Sequence, residues 1–165
     1  MTLSTTSLDQ SVLRNAFGQF PSGVVAVCAE IDGVKIGMAA SSFVAVSIDP
    51  PLVAFCVQDT STTWPKFAAA SRIGISVLGE LHDVAARTLA AKTGNRFEGL
   101  TTTTTDDGAL FIDGASMWLD ASVTEQVTAG DHDIVLLRIN ELEVKDGVAP
   151  IVFHGSKFRR LAVDL

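Results

Sequence analysis

Short apolar runs rich in β-branched residues, each closed by a turn signal, recur along most of this chain and restrict it to a sheet-dominated fold. Residues 24–29 are an unbroken apolar run, the pattern of a strand buried on both faces. Asp32-Gly33 is a hairpin signal, and Val34–Ala40 is the return strand. Further strands are predicted at 43–47, 52–57 and 73–78, with Pro50-Pro51 separating the first two. Residues 118–127 alternate, with Leu119, Ala121 and Val123 on one face and Asp120, Ser122, Thr124 and Gln126 on the other. That is the period of a half-exposed strand. Residues 133–144 form a long partner, joined through Thr128-Ala129-Gly130-Asp131-His132; Asp146-Gly147 turns the chain, and 151–154 is a last short strand. The threonine tract at 101–105 reads as a surface loop or an irregular edge strand.

Helices are few. Residues 7–20 fit one, with Ser7 and Gln10 as a capping box and Leu13, Phe17 and Phe20 in one apolar stripe beside Val12 and Ala16. Pro21-Ser22-Gly23 stops it. A short helix is expected at 64–70 and a longer one at 81–91. About seven strands with so few helices argue against βαβ units and fit an all-β-dominated antiparallel barrel with Greek-key connections and flanking helices. Neither an internal repeat nor a linker is visible, so one domain is expected over 1–165, with 1–6 as a flexible N-terminal tail.

Charge narrows the function. The net charge is -7, and the twelve Lys and Arg are scattered apart from Lys157, Arg159 and Arg160. A nucleic-acid partner is not expected, because phosphate binding needs a concentrated basic face. No apolar run reaches the roughly eighteen residues of a membrane span, and residues 1–10 lack the pattern of a signal peptide. A cytoplasmic protein is expected, with no membrane partner. Cys28 and Cys56 both sit in apolar runs and read as buried free thiols. Glycine-rich dinucleotide and phosphate loops, a nucleophile elbow and a zinc-protease motif are absent from the sequence, and no two of His82, His132 and His154 lie at metal-ligand spacing.

Three features carry chemistry. Gly37-Met38-Ala39-Ala40-Ser41-Ser42-Phe43 offers a backbone that a planar ring could approach closely, or else a plain barrel corner. Asp59-Thr60-Ser61-Thr62-Thr63-Trp64-Pro65 places hydroxyls before a short helix, as a phosphate seat or as ordinary capping. Gly130-Asp131-His132 puts an imidazole at a turn that does not demand one, as a ligand contact or as an ordinary exposed histidine.

Together and in this order, these segments resemble the flavin reductase family, whose members supply reduced flavin to two-component monooxygenases. Phe20-Pro21-Ser22-Gly23-Val24, Ser47-Ile48-Asp49-Pro50-Pro51-Leu52, Asn95-Arg96-Phe97-Glu98-Gly99 and Phe153-His154-Gly155-Ser156-Lys157-Phe158-Arg159 extend the resemblance over about residues 13–159. It implies a dimeric split β-barrel with FMN or FAD near the subunit interface and NADH or NADPH as hydride donor. Met38, Ala39, Ala40, Ser41 and Ser42 would line the isoalloxazine edge, and Ser61, Thr62 and Thr63 would hold the ribityl phosphate. Arg96, followed by Phe97, would complement the phosphate charge; His132 would contact the nicotinamide nucleotide, with His154 and Arg159 as further candidates. Many relatives carry Thr in place of Ala39 and Asn in place of Ser41, which bears on FMN against FAD.

The implied activity is an NAD(P)H:flavin oxidoreductase that passes free reduced flavin to a partner monooxygenase. Hydride transfer between stacked rings needs alignment more than acid–base help, so the lack of a catalytic dyad is consistent with it. An alternative is a split-barrel protein that binds flavin or haem without turning over nicotinamide. An oxidase of pyridoxine-type vitamers is less expected, because this sequence has no cluster of basic residues suited to a second phosphate ester.

Overall fold

The computed structural model describes residues 7–162, so the tail expected at 1–6 lies outside the described residues. Along the chain run α1 (Gln10–Phe17), β1 (Ser22–Gly23), β2 (Val25–Ile31), β3 (Val34–Ala40), β4 (Val44–Ser47), β5 (Leu52–Gln58), a 3₁₀ helix (Trp64–Ala69), β6 (Ile73–Val77) and α2 (Asp83–Ala90). Then follow β7 (Thr102–Thr104), β8 (Leu110–Ile112), β9 (Met117–Ala129), β10 (His132–Val144), β11 (Val152–His154) and β12 (Lys157–Arg159). Seven strands form one antiparallel sheet in the order β3-β2-β6-β9-β10-β5-β4. β1, β11 and β12 make a small second sheet, and β7 pairs with β8.

The two edges of the large sheet are consecutive strands. Only residues 41–43 separate β3 from β4, a connection that spans at most about 14 Å. A flat sheet of that size would hold its edges about 29 Å apart. The sheet therefore curls until its edges nearly meet. Ser42 pins the seam: its Oγ accepts from Cys56 N at 2.8 Å and donates to Cys56 O at 3.2 Å, tying the β3–β4 corner to β5.

Curling gives β2 two buried faces. Val25, Val27 and Ala29 point into the sheet's interior with Phe55, Val57, Ile75, Leu119, Val135 and Leu137. Ala26 and Cys28 point outward under Ala86 and Leu89 of α2 and Leu110 and Ile112 of β8. That is why residues 24–29 are apolar without alternation. Gly74 lets β8 cross β6 closely, since a Cβ there would collide with the Leu110 backbone.

Several expectations are corrected. The first helix is shorter than 7–20, and Asp9 caps it in place of the Ser7–Gln10 box. Asp9 Oδ1 accepts from Ser11 N and Val12 N, both at 3.0 Å, because a carboxylate is the stronger acceptor. The hydroxyl of Ser11, then the amide of Val12, hold the Asp9 carboxyl below its ordinary range. Among the described residues no α1 side chain is fully buried: Leu13 is half-buried, Phe17 is 71 % exposed, and Phe20, beyond the helix, is 78 % exposed. The helix at 64–70 is 3₁₀. Residues 102–104 form a regular strand with β8, which short length had hidden. Asp120, expected on a solvent face, is 7 % exposed and paired with Arg72 at 3.0 Å. Among the described residues, no helix is long and apolar enough to cross a membrane.

Candidate functional site

At the seam a cleft of ≈ 600 Å³ opens, within the range of small-ligand sites. Met38, Ala39, Ala40, Ser41 and Ser42 line it from the end of β3, and Cys56, Val57 and Gln58 from β5. Thr60, Ser61, Thr62 and Thr63 form one wall, and Leu89, Ala90, Lys92 and Arg96 the other. His132 completes the lining.

Gly37, just before the floor, carries no side chain because of what lies beneath β3. A Cβ on Gly37 would come within 2.6 Å of Phe97 Cζ and 3.0 Å of both Leu89 Cδ2 and Cys28 Sγ. Phe97 is thus packed under β3 and does not line the cleft. Arg96 donates from Nη1 to Gly37 O at 2.9 Å, which holds its guanidinium at the wall with donors to spare. The Ser42 hydroxyl is committed to Cys56, so its one O–H is not free for a ligand.

The hydroxyl wall divides its labour. Ser61 Oγ accepts from Thr63 N at 3.3 Å and Trp64 N at 3.1 Å, capping the 3₁₀ helix. Thr63 is 8 % exposed, and its hydroxyl makes no hydrogen bond to the described residues. Thr62 is exposed. The wall is tied to the far hairpin: Trp64 Nε1 donates to Gln126 Oε1 at 3.0 Å, and Gln126 Nε2 to Asp133 Oδ2 at 2.8 Å.

His132 begins β10, where it pairs with Gln58 of β5 and Ala129 of β9, so the turn is Gly130-Asp131 alone. Gly130 takes φ 71°, which suits glycine. His132 Nδ1 lies 2.8 Å from Asp131 Oδ1. The hydrogen bond from His132, followed by its charge, holds the Asp131 carboxyl below its ordinary range.

The electrostatics are one-sided. The chain carries net charge -7, yet among the described residues no Asp or Glu lines the cleft, whereas Lys92 and Arg96 do. Lys92 and Arg96 make no ion pair among the described residues.

The expected residues divide cleanly in position. Met38, Ala39, Ala40, Ser41, Ser42, Ser61, Thr62, Thr63, Arg96 and His132 are brought together. His154 and Arg159 are not: they lie on β11 and β12 opposite Lys157 and Val152, with Arg159 Nε donating to His154 O at 3.3 Å. Cys56 is half-buried in the cleft lining, correcting the expectation that both thiols are buried. Lys92 was not legible beyond its spacing of four from Arg96; Gln58 followed only from strand alternation opposite Phe55 and Val57.

Comparison with known proteins agrees with this geometry. The family model described as "Flavin reductase like domain" matches residues 17–162. A flavin reductase of Pseudomonas putida is 36% identical over 154 residues, covering 93% of this chain and 91% of that protein. The reductase subunit HsaB of a flavin-dependent monooxygenase of Mycobacterium tuberculosis is 31% identical, over 93% and 83% of the two chains. The NADH:FAD oxidoreductase SgcE6 of Streptomyces globisporus, solved with NAD and FAD fragments, superposes with TM-score 0.89 at 32% identity, over 94% of each chain.

Proposed function

The chain belongs to the flavin reductase family, and from that premise we propose that it transfers hydride from NADH or NADPH to FMN or FAD and releases the reduced flavin to a separate monooxygenase. The observation that carries this reading is a carboxylate-free cleft, floored by small residues and flanked by hydroxyls and cations, in an acidic protein.

The residues present fit a flavin. Residues 38–42 leave room for a flat ring. Thr62, Thr63 and the free O–H of Ser61, with Arg96 and Lys92 opposite, would hold an anionic tail. When bound, the flavin supplies the hydride acceptor. Asp131 holds one nitrogen of His132 and leaves the other to meet a nicotinamide nucleotide. The chain otherwise aligns the two ligands and excludes water.

The curled sheet with its pinned seam supports a split barrel. Exposed Phe17, Phe20 and, on the β4 edge and beyond it, Val44, Val46 and Ile48 (95 % exposed) support a homodimer that covers them. Sedimentation as a monomer at micromolar concentration would remove that part of the reading. Two free thiols suit a reducing, cytoplasmic setting. The deciding experiment is anaerobic: purified protein is mixed with NADH or NADPH and with FMN, FAD or riboflavin, and nicotinamide oxidation is followed. Turnover is expected; none with any combination ends the proposal.

A further inference from the structure

A second recess, of ≈ 140 Å³, adjoins the cleft and shares Ala39, Ala40 and Ser41 of its floor. Beyond that floor it is lined by Val24, Ala86, Ala90, Phe153 and Phe158, none of which carries a polar side-chain atom. The two phenyl rings lie 5.3 Å apart at 54°. The Arg87 guanidinium sits 4.8 Å from the Phe158 centroid and steadies that ring from α2.

Its size and chemistry restrict what it accepts. An apolar cavity of roughly 150 Å³ admits one benzene ring. A flavin has two ring ends. The pyrimidine end carries carbonyls and an N–H, which lose hydrogen bonds in such a recess. The benzenoid end carries only methyl groups. A ring system lying on the shared floor, with its phosphate tail toward Thr62, Thr63 and Arg96, has its methylated end to place, and the recess is the apolar continuation of that floor.

We propose, resting on the flavin reading above, that this recess is the subsite for the methylated benzenoid ring and makes the protein selective for flavins that carry it. The site thereby distinguishes ring substitution as well as the phosphate tail.

Equilibrium binding of FMN and of its analogue lacking both ring methyl groups tests this by fluorescence quenching, without turnover. The wild-type protein is expected to bind FMN about tenfold tighter, the effect of burying two methyl groups. In Phe158→Ala, or Phe158→Leu should the first variant fail to fold, the preference should shrink to about threefold or less. Equal affinities in the wild-type protein overturn the inference while leaving the flavin reading intact, and so does an undiminished preference in the variant. Failure to bind FMN at all defeats the reading on which the inference rests.

Discussion

Replacing Arg96 by alanine separates the floor bond that this side chain makes from the phosphate contact proposed for it. One N–H is spent on Gly37 O at 2.9 Å, which steadies the floor beneath any flavin. Losing that bond costs about 1 kcal/mol, roughly a fivefold weakening, for riboflavin and FMN alike. On the proposed reading the remaining donors and the positive charge would act on a phosphate alone, and a charge-assisted contact contributes about 1.5–3 kcal/mol, or roughly 10- to 150-fold. Lys92, also in the cleft lining, retains part of the field, so the lower half of that range is expected. The informative quantity is the ratio: Arg96→Ala should weaken FMN at least about tenfold more than riboflavin. Fluorescence titration of both flavins against wild-type and variant protein measures it. The extra FMN loss should shrink as salt rises, because the interaction is partly screened. Equal weakening of the two flavins would show that the guanidinium serves only the floor.

Gly74→Ala should destabilise by more than about 3 kcal/mol, because the colliding Leu110 atoms are backbone and cannot rotate away. A Tm decrease on the order of 10 °C is expected by calorimetry, and a decrease near zero would contradict the close crossing of β8 over β6. Native-state alkylation should label Cys56 and spare Cys28, whose thiol burial pushes up to about 12. FMN should slow the Cys56 reaction, and indifference to FMN would place the ligand elsewhere. His82 accepts from Gly79 N at 3.0 Å, and burial, opposed by a bond to the Asp113 backbone, lowers its pKa below 6.5. The unfolded chain therefore takes up the proton first, so this contribution to stability is full above pH 6.5 and is lost as the pH falls toward the folded-state value. Urea midpoints from about pH 5 to about pH 7.5 should slope less in His82→Asn, which keeps an acceptor for Gly79 while removing the titration; an unchanged slope would acquit His82.

What the sequence made legible was local. The return strand Val34–Ala40 is legible with its observed bounds because Asp32 and Gly33, at φ 51° and 76°, are turn chemistry in adjacent residues. The unbroken run at 24–29 signalled burial on both faces, and β2 has it. Leu110–Ile112 is too short to show a period. The burial of Asp120 depends on Arg72, far away in the chain, so alternation alone placed it wrongly on a solvent face. The site was legible as separate segments only. Each had an ordinary structural use, and two of those uses are real: Ser61 caps a helix and Ser42 closes a seam. What brings the segments together is the pairing of β5 with β10, through Gln58 opposite His132 and Asp59 N donating to Asp131 O at 3.1 Å. No local pattern encodes that register.

Charge distribution argues for a ligand that comes and goes. A protein of net charge -7 repels phosphorylated flavins and nicotinamides at long range. At physiological salt that repulsion decays over about 8 Å. Inside that distance the tail, held as proposed above, would meet Lys92 and Arg96, with no carboxylate among the described lining residues. Attraction is thus confined to contact range, and part of the Arg96 hydrogen-bonding capacity is already spent on the floor. Once the tail leaves its wall, the surrounding field helps it away. A protein that retains its flavin permanently gains nothing from this arrangement, whereas one that must hand reduced flavin to another enzyme needs capture to be local and escape to be unobstructed.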